Sequence, residues 1–173
     1  KFDIIPDDIR AQLAEVRVET IHHGHYVSNG GRFTHRLSVR RQRNVMNTVV
    51  PQLARTRGKY PANPAWLHPD DMTAIGVADG EVVTIVSDSG SVAASVKADE
   101  TVKPGVLSIS HGYGGKGEDA DDRIGSNVNL LISTSRDLDE ITAMVRMSAV
   151  PVRIEKREAE EALASAHPPV YST

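Results

Sequence analysis

Residues 63–114 read NPAWLHPDDMTAIGVADGEVVTIVSDSGSVAASVKADETVKPGVLSISHGYG, and this stretch decides the fold. Pro69 suits the first position of a helix, because its fixed φ matches and its missing N–H needs no partner there. Asp70 and Asp71 then fall in the first turn, where carboxylates meet unpaired amide groups. Gly76 is placed to end the helix in the left-handed conformation. The stretch therefore predicts a short helix at its start.

Three strands are predicted after this helix. Val82–Val86 is a β-branched run, and Ser89-Gly90 supplies a two-residue reversal into a return strand. The return strand alternates, with one apolar face formed by Val92, Ala94 and Val96. Pro104-Gly105 fits the centre of a type II turn, and Val106–Ser110 predicts the third strand. That strand leads directly into the glycine-rich segment HGYGGKG.

The gross composition indicates one soluble globular domain with a tail. The chain has 173 residues, is 39% hydrophobic, and has no apolar run of the roughly 20 residues that span a membrane. No membrane insertion is therefore predicted. The absence of cysteine excludes disulfides and favours a reducing compartment, so a cytoplasmic location is expected and a periplasmic one stays open. Because the chain starts at Lys1 without a leader pattern, we expect it to be part of a longer protein.

Positive charge is concentrated in residues 32–59. This segment has eight basic and no acidic residues, whereas 12 basic residues face 23 acidic ones elsewhere. An anionic partner is therefore predicted to lie against it. Nucleic acid is disfavoured, because the chain is acidic overall and few aromatic side chains accompany the arginines.

The strand predicted over residues 32–40 carries the first candidate site. One face is expected to be core and consists of Phe33, His35, Leu37 and Val39. The other face contains Arg36, Ser38 and Arg40, and guanidinium groups bind phosphate in bidentate fashion. The alternative is a solvated edge whose arginines bind nothing.

Two further candidates come later in the chain. His111 enters a glycine-rich loop whose backbone can approach a ligand closely, although a turn histidine bonded to the backbone explains it equally well. Asn127 and Asn129 alternate along a strand predicted at 128–132, so both amides would face a heterocycle. GYGGKG lacks the ending of a phosphate loop, which rejects a nucleoside triphosphate site.

Catalytic and metal-binding residues are not predicted. The histidines around Gly24 could share a metal ion, but such a polar turn is more often simply exposed: His22, His23 and His25. The acidic group at 137–140 fits a helical turn better than an acid and base pair. No combination of serine, histidine and carboxylate indicates a nucleophile.

The flanking segments complete the domain plan. Residues 6–18 predict a helix packed against the core, and 149–155 predict a last strand. We therefore divide the chain into a lead-in at 1–31, a barrel at 32–155 and a charged tail at 156–173.

Five motifs, in order, resemble one family: SVRRQRNVMNT, NPAWLHPDDMTAIGVADG, VKPGVLSISHGYG, GSNVNLLIS and PVRIE. Together they resemble the C-terminal dinucleotide-binding domain of the molybdopterin oxidoreductases, the family of formate dehydrogenase and dimethyl sulfoxide reductase. Each motif is ordinary alone, so the resemblance depends on their order and spacing. It implies a mainly β fold with short helices, a double-psi β-barrel of the aspartate-decarboxylase-like class.

The resemblance also implies a cofactor, bis(molybdopterin guanine dinucleotide) with molybdenum or tungsten, whose diphosphates would supply the anion. It implies an oxidoreductase of formate dehydrogenase-like type in which this chain binds and orients but does not react. The metal ligand would come from the remaining domains or the catalytic subunit, its expected partners. The isolated chain is accordingly expected to be inactive.

The expected cofactor-binding residues combine the strand face with positions that match the family motifs. They are Arg36, Ser38, Arg40, Arg41, Asn47, His111, Gly112, Asn127, Asn129 and Arg146. The family usually has Asp-Pro followed by Ser-Gly where this chain has Asp139-Glu140 and Thr142-Ala143. This departure affects two expectations taken from the family, the conformation of the local turn and the cofactor contact of Arg146.

Two rival functions fit the same barrel class. A protein-binding module, like the substrate-recognition domains of some hexameric ATPases, would need a peptide groove instead of a basic cleft. A self-contained decarboxylase would need an internal Gly-Ser cleavage that generates a pyruvoyl group.

Overall fold

The computed structural model describes residues 5–18, 31–48, 53–114, 125–136, 138–139 and 141–157. This part of the chain folds mainly as β-strands with short helices between them, which confirms the predicted mainly β fold. In order they are α1 (Asp7–Val18), β1 (His35–Arg40), α2 (Ala54–Arg57), β2 (Ala65–Leu67), α3 (Pro69–Ile75), β3 (Val82–Val86), β4 (Ser91–Ala98), β5 (Val106–Ser110), a 3-10 helix (Val128–Leu131) and β6 (Ser148–Lys156).

The six strands of the described residues close into a barrel in the order β1-β5-β2-β4-β3-β6. β1 pairs with β5 and β2 with β4 in parallel, and the other pairs are antiparallel. Apolar side chains from every strand fill the interior, among them the fully buried Leu37, Leu67, Ile85, Leu107 and Ile109. At the end that we call the upper end, β1, β3 and β5 finish and β2, β4 and β6 begin.

The segment 63–114 folds largely as its sequence predicts. His68 caps α3 by accepting the Asp70 N–H at 3.2 Å, and Gly76 ends the helix with a φ of 77°. The β3 and β4 strands pair as the predicted hairpin. The sequence does not predict β2. Its three residues form a strand because β4 and β5 pair with them on either side. The short helix α2 likewise lies in a segment predicted as loop.

The strand predicted at 128–132 is wrong, because these residues form a 3-10 helix. Asn127 starts it by accepting the Asn129 N–H on its side-chain oxygen at 3.2 Å. Val128 and Leu131 are both buried, and their spacing matches a turn of three residues. The two asparagines therefore do not present aligned amides: Asn127 is half-buried and uses its oxygen as a cap, whereas Asn129 is exposed.

Helix α1 forms as predicted, but two of its apolar side chains, Leu13 and Val18, are exposed instead of packed against the core. Leu13 is 51% exposed and Val18 is 80% exposed. The Gln12 side chain instead bonds to Asp139, in the turn that precedes β6.

Two properties of the described residues bear on function. No helix there is both long enough and apolar enough to cross a membrane. The same residues contain no group of three or more His, Cys, Asp or Glu side chains arranged to hold a metal. The candidate histidines at 22, 23 and 25 lie outside them, as does the tail beyond residue 157.

The pH dependence of the barrel's stability is expected to involve one buried histidine. His35 is 8% exposed, and its Nε2 lies 3.6 Å from the Asp71 Oδ2, too far for a hydrogen bond. Burial lowers the pKa of His35 below its ordinary value of 6.5, while the Asp71 carboxylate acts in the opposite direction. The neutral ring is therefore the form that the folded barrel prefers.

We expect His35 to destabilise the barrel as the pH falls below 6.5. A lowered folded-state pKa means that the unfolded chain binds the proton first, so this stability is present above 6.5 and is lost on acidification. Urea unfolding of the wild type and of His35→Gln, at pH values between about 8 and about 5, measures the contribution. The variant should have the flatter pH dependence, and identical curves would contradict the assignment.

Candidate functional site

The loops that carry half of the predicted site residues meet at the upper end of the barrel. β1 and β5 run in parallel, with Arg40 opposite Ser110. The segments that follow them, 41–48 and 111–114, therefore leave the barrel side by side. The segment 125–127 joins them there, because the N–H of Asn127 lies against Gly114.

Asn47, His111 and Gly112 form one contact cluster. His111 Nε2 lies 2.9 Å from the Asn47 Oδ1. Gly112 has a φ of 92°, and a Cβ at this position would lie 2.5 Å from the Asn47 carbonyl oxygen. Close approach of these two backbones thus requires glycine. Three residues that sequence analysis placed in one site are brought together by the structure.

The second ring nitrogen of His111 is the chemically informative atom of this cluster. Its Nδ1 is buried, and none of the described residues forms a hydrogen bond with it. Because the Asn47 oxygen can only accept, Nε2 is the donor in this contact, and in the tautomer with its proton on Nε2 the Nδ1 atom is an acceptor. A buried acceptor without a protein partner is the position at which a ligand N–H is expected.

Sequence analysis missed Asn63, which joins the two loops of the site. Asn63 is 2% exposed, and its oxygen accepts the Ser126 N–H at 2.7 Å. Its amide nitrogen donates to the Ser126 carbonyl at 2.9 Å and to the Ser110 carbonyl. A Cβ on Gly125 would collide with the Asn63 oxygen. The sequence signal is only an asparagine before proline, which resembles an ordinary turn residue.

The arginines of β1 lie on the outer wall of the barrel. Arg40 stacks over Trp66 at 4.4 Å from the ring centroid, and its Nη1 lies 3.3 Å from the Asp99 Oδ2. Arg36 donates to the Ala149 carbonyl at 3.4 Å. Ser38 and Arg40 line an open groove together with Lys103. The guanidinium of Arg40 thus already has a carboxylate and an aromatic partner.

Arg41 is exposed at the start of the loop that follows β1. Two tyrosines fix this loop: Asn44 donates to the Tyr60 hydroxyl at 2.8 Å, and the Tyr113 hydroxyl donates to Gln42 at 2.9 Å. Burial, and secondarily Tyr60, raises the pKa of Tyr113, so its hydroxyl remains a donor. Arg41 therefore lies on a loop that two tyrosine hydrogen bonds hold in place.

Arg146 lies beyond a tight turn. Asp139 accepts the Thr142 N–H at 2.7 Å, and Ala143 adopts a φ of 54°, so this turn is hydrogen-bonded although it lacks the usual family residues. The Arg146 Nε donates to the Ser148 carbonyl at 3.2 Å. Its side chain lines a cavity beside the hairpin turn at 87–90.

Relatives of known activity match parts of this chain. One chain of the tetrathionate reductase of Salmonella typhimurium is 35% identical over 71 residues, which are 41% of this chain and 7% of that protein. The dimethyl sulfoxide/trimethylamine N-oxide reductase of Rhodobacter capsulatus is 43% identical over 49 residues, 28% of this chain and 6% of that protein. The chain thus spans only a small fraction of the length of these relatives.

The fold is also found in a solved structure. Acetylene hydratase from Pelobacter acetylenicus superposes with a TM-score of 0.64 at 17% identity, over 91% of this chain and 21% of that one. A model of the family described as the molydopterin dinucleotide binding domain matches residues 36–151. Since this match covers more than half of the chain, the chain belongs to the molydopterin dinucleotide binding domain family.

Proposed function

We propose that this chain is the cofactor-binding domain of a molybdenum or tungsten oxidoreductase, and that it holds bis(molybdopterin guanine dinucleotide). The observation that carries the proposal is the cluster of Asn47, His111 and Gly112 at the upper end of the barrel. A pterin offers N–H groups at its edge and a diphosphate on its tail. Nδ1 of His111, to which none of the described residues bonds, fits a pterin N–H, and Gly112 permits close backbone approach beside it. The exposed Arg41 fits the diphosphate.

Each of these residues has a distinct part in binding. Asn47 fixes the ring of His111, so that Nδ1 accepts a ligand N–H at a defined position. Arg41 neutralises phosphate with a bidentate guanidinium. When bound, the cofactor supplies the metal centre that exchanges two electrons with a substrate. The chain itself binds, orients and shields the dinucleotide, while other domains or a catalytic subunit provide the metal ligand.

We extend the proposal to a formate dehydrogenase-like enzyme with a barrel of the double-psi type. The order of the five motifs supports the family to which formate dehydrogenase belongs. Two parallel strand pairs, β1 with β5 and β2 with β4, within a closed six-stranded ring support the barrel type. Family membership does not favour the protein-binding module, because the matched model describes dinucleotide binding.

The test measures cofactor retention in the purified enzyme that contains this chain. Arg41→Gln and His111→Ala should each weaken retention, Arg41→Gln by about tenfold in affinity, because a charged hydrogen bond is lost. Pterin and released nucleotide are quantified per mole of protein after dialysis, and GMP is the expected nucleotide.

Lys97→Gln is the matched control, since it removes one charge from an exposed side chain at the lower end of β4. Its cofactor content should equal that of the wild type. Equal pterin content in all of these proteins would overturn the site, and release of a nucleotide other than GMP would overturn the guanine assignment.

A further inference from the structure

Three segments meet around His35 at the lower end of the barrel. His35 is the first residue of β1, Val152 is opposite it on β6, and Asp71 lies in the first turn of α3. The side chain of Asp71 is 16% exposed, and its Oδ2 accepts the Gly105 N–H at 2.8 Å. One carboxylate oxygen therefore faces both the buried ring and the turn before β5.

The two ring nitrogens of His35 differ in their surroundings. Nδ1 lies 2.8 Å from the Thr34 hydroxyl, which can donate to a neutral ring or accept from a charged one. Nε2 is buried and forms no hydrogen bond with any of the described residues, although the Asp71 Oδ2 lies 3.6 Å away. Nδ1 is thus satisfied in both protonation states, and only the contact between Nε2 and Asp71 depends on the proton.

Asp71 is the charged group that acts on the His35 ring within the described part of the chain. His68, which caps α3, also titrates at this end of the barrel, and its Nδ1 lies 3.4 Å from the Asp70 Oδ2. Charged residues also occur on the adjoining segments: Arg36 of β1, Lys103 of the turn before β5 and Arg153 of β6. Lys103 is exposed, and Arg153 pairs with Glu155 at 2.6 Å. A proton on His35 therefore has Asp71 as its electrostatic partner.

We propose that His35 and Asp71 form a pH-sensitive contact, in which protonation of the ring draws the Asp71 oxygen toward Nε2 and away from the Gly105 N–H. A charged imidazole and a carboxylate bond at about 2.8 Å, well inside the observed 3.6 Å. The backbone on either side of His35 is fixed, because the Thr34 N–H donates to Val152 and the Arg36 N–H donates to Gly105. The carboxylate is therefore the group that moves. The inference goes beyond the proposed function, because this contact lies at the opposite end of the barrel from the cofactor cluster.

NMR spectra of the full 173-residue chain, recorded between about pH 8 and about pH 5, test the contact. As the pH falls, the Gly105 amide proton should shift upfield because its hydrogen bond lengthens. Its midpoint should equal that of the His35 ring and lie below 6.5. The Gly80 amide, which donates to the Val96 carbonyl, is the control and should not follow this midpoint. A Gly105 amide that does not titrate, or that titrates at another midpoint, would overturn the proposal.

Two variants separate His35 from its neighbours in the same titration. His68→Asn removes the other histidine of this region but keeps a capping oxygen for α3, so the Gly105 shift should persist. Asp71→Asn removes the carboxylate that raises the pKa of His35, so the His35 midpoint should fall below that of the wild type. Loss of the Gly105 shift in His68→Asn would assign it to the wrong histidine, and an unchanged His35 midpoint in Asp71→Asn would show that the two side chains do not interact.

Discussion

Replacing Asn63 with aspartate is expected to destabilise the chain by about 3 kcal/mol or more, because it places a carboxylate against two carbonyl oxygens. The substitution keeps the size and shape of the side chain but removes the donors to Ser110 and Ser126. Both carbonyls then lose this partner in a buried site. Urea unfolding at neutral pH measures this loss of unfolding free energy.

Asn44→Asp is the matched control, because it makes the same chemical change on an exposed side chain that bonds only the Tyr60 hydroxyl in the described residues. Its cost should stay below about 1 kcal/mol. Acidification should also recover part of the stability of Asn63→Asp, since a protonated carboxyl regains one donor. Equal losses in the two variants would contradict the role assigned to Asn63.

Replacing Gly112 with alanine is expected to disrupt the cluster with Asn47 and His111. The new Cβ meets the Asn47 backbone, which cannot move as freely as a side chain tip, and alanine is strained at a φ of 92°. We expect a loss of about 2 to 4 kcal/mol in unfolding free energy, the sum of backbone strain and steric clash. The hydrogen bond between His111 and Asn47 should be lost as well, which the NMR signal of the ring N–H reports.

Gly105→Ala is a control that separates the backbone strain from the steric clash. Gly105 has a φ of 78°, but a Cβ there has nothing within 4 Å. This control therefore carries the strain without the clash, and its cost should be about 1 to 2 kcal/mol. If the two alanine variants lose the same stability and both keep the His111 signal, the close approach at Gly112 has no consequence.

The arginines show what a charge pattern can predict and what it cannot. Their excess in residues 32–59 predicts an anion but does not show which guanidinium groups face it. Arg40 stacks on Trp66 and pairs with Asp99, a residue 59 positions later in the chain. Arg136, which lines the cavity beside the hairpin turn at 87–90, lies outside that basic segment altogether. The positions of these side chains depend on strand pairing, which no local charge pattern encodes.

The asparagines show a related limit of local patterns. Alternation at 127 and 129 predicts a strand, yet the buried pair Val128 and Leu131 follows a spacing of three. A short apolar run is compatible with both periods, and the barrel end that these residues cover decides between them. Asn63, by contrast, carries no periodic signal, because its importance comes from carbonyls contributed by distant segments.

The sequence by itself determined the capped helix α3, the β3–β4 hairpin, the turn before β5 and the alternating faces of β1. These features depend on backbone preferences and on side-chain periods within a few residues. Tertiary structure alone decided the three-residue strand β2, the 3-10 helix, the partners of Arg40 and the bridge made by Asn63. Each of these has its hydrogen bonds or its burial completed by residues remote in sequence, so its stability exists only once the barrel has closed.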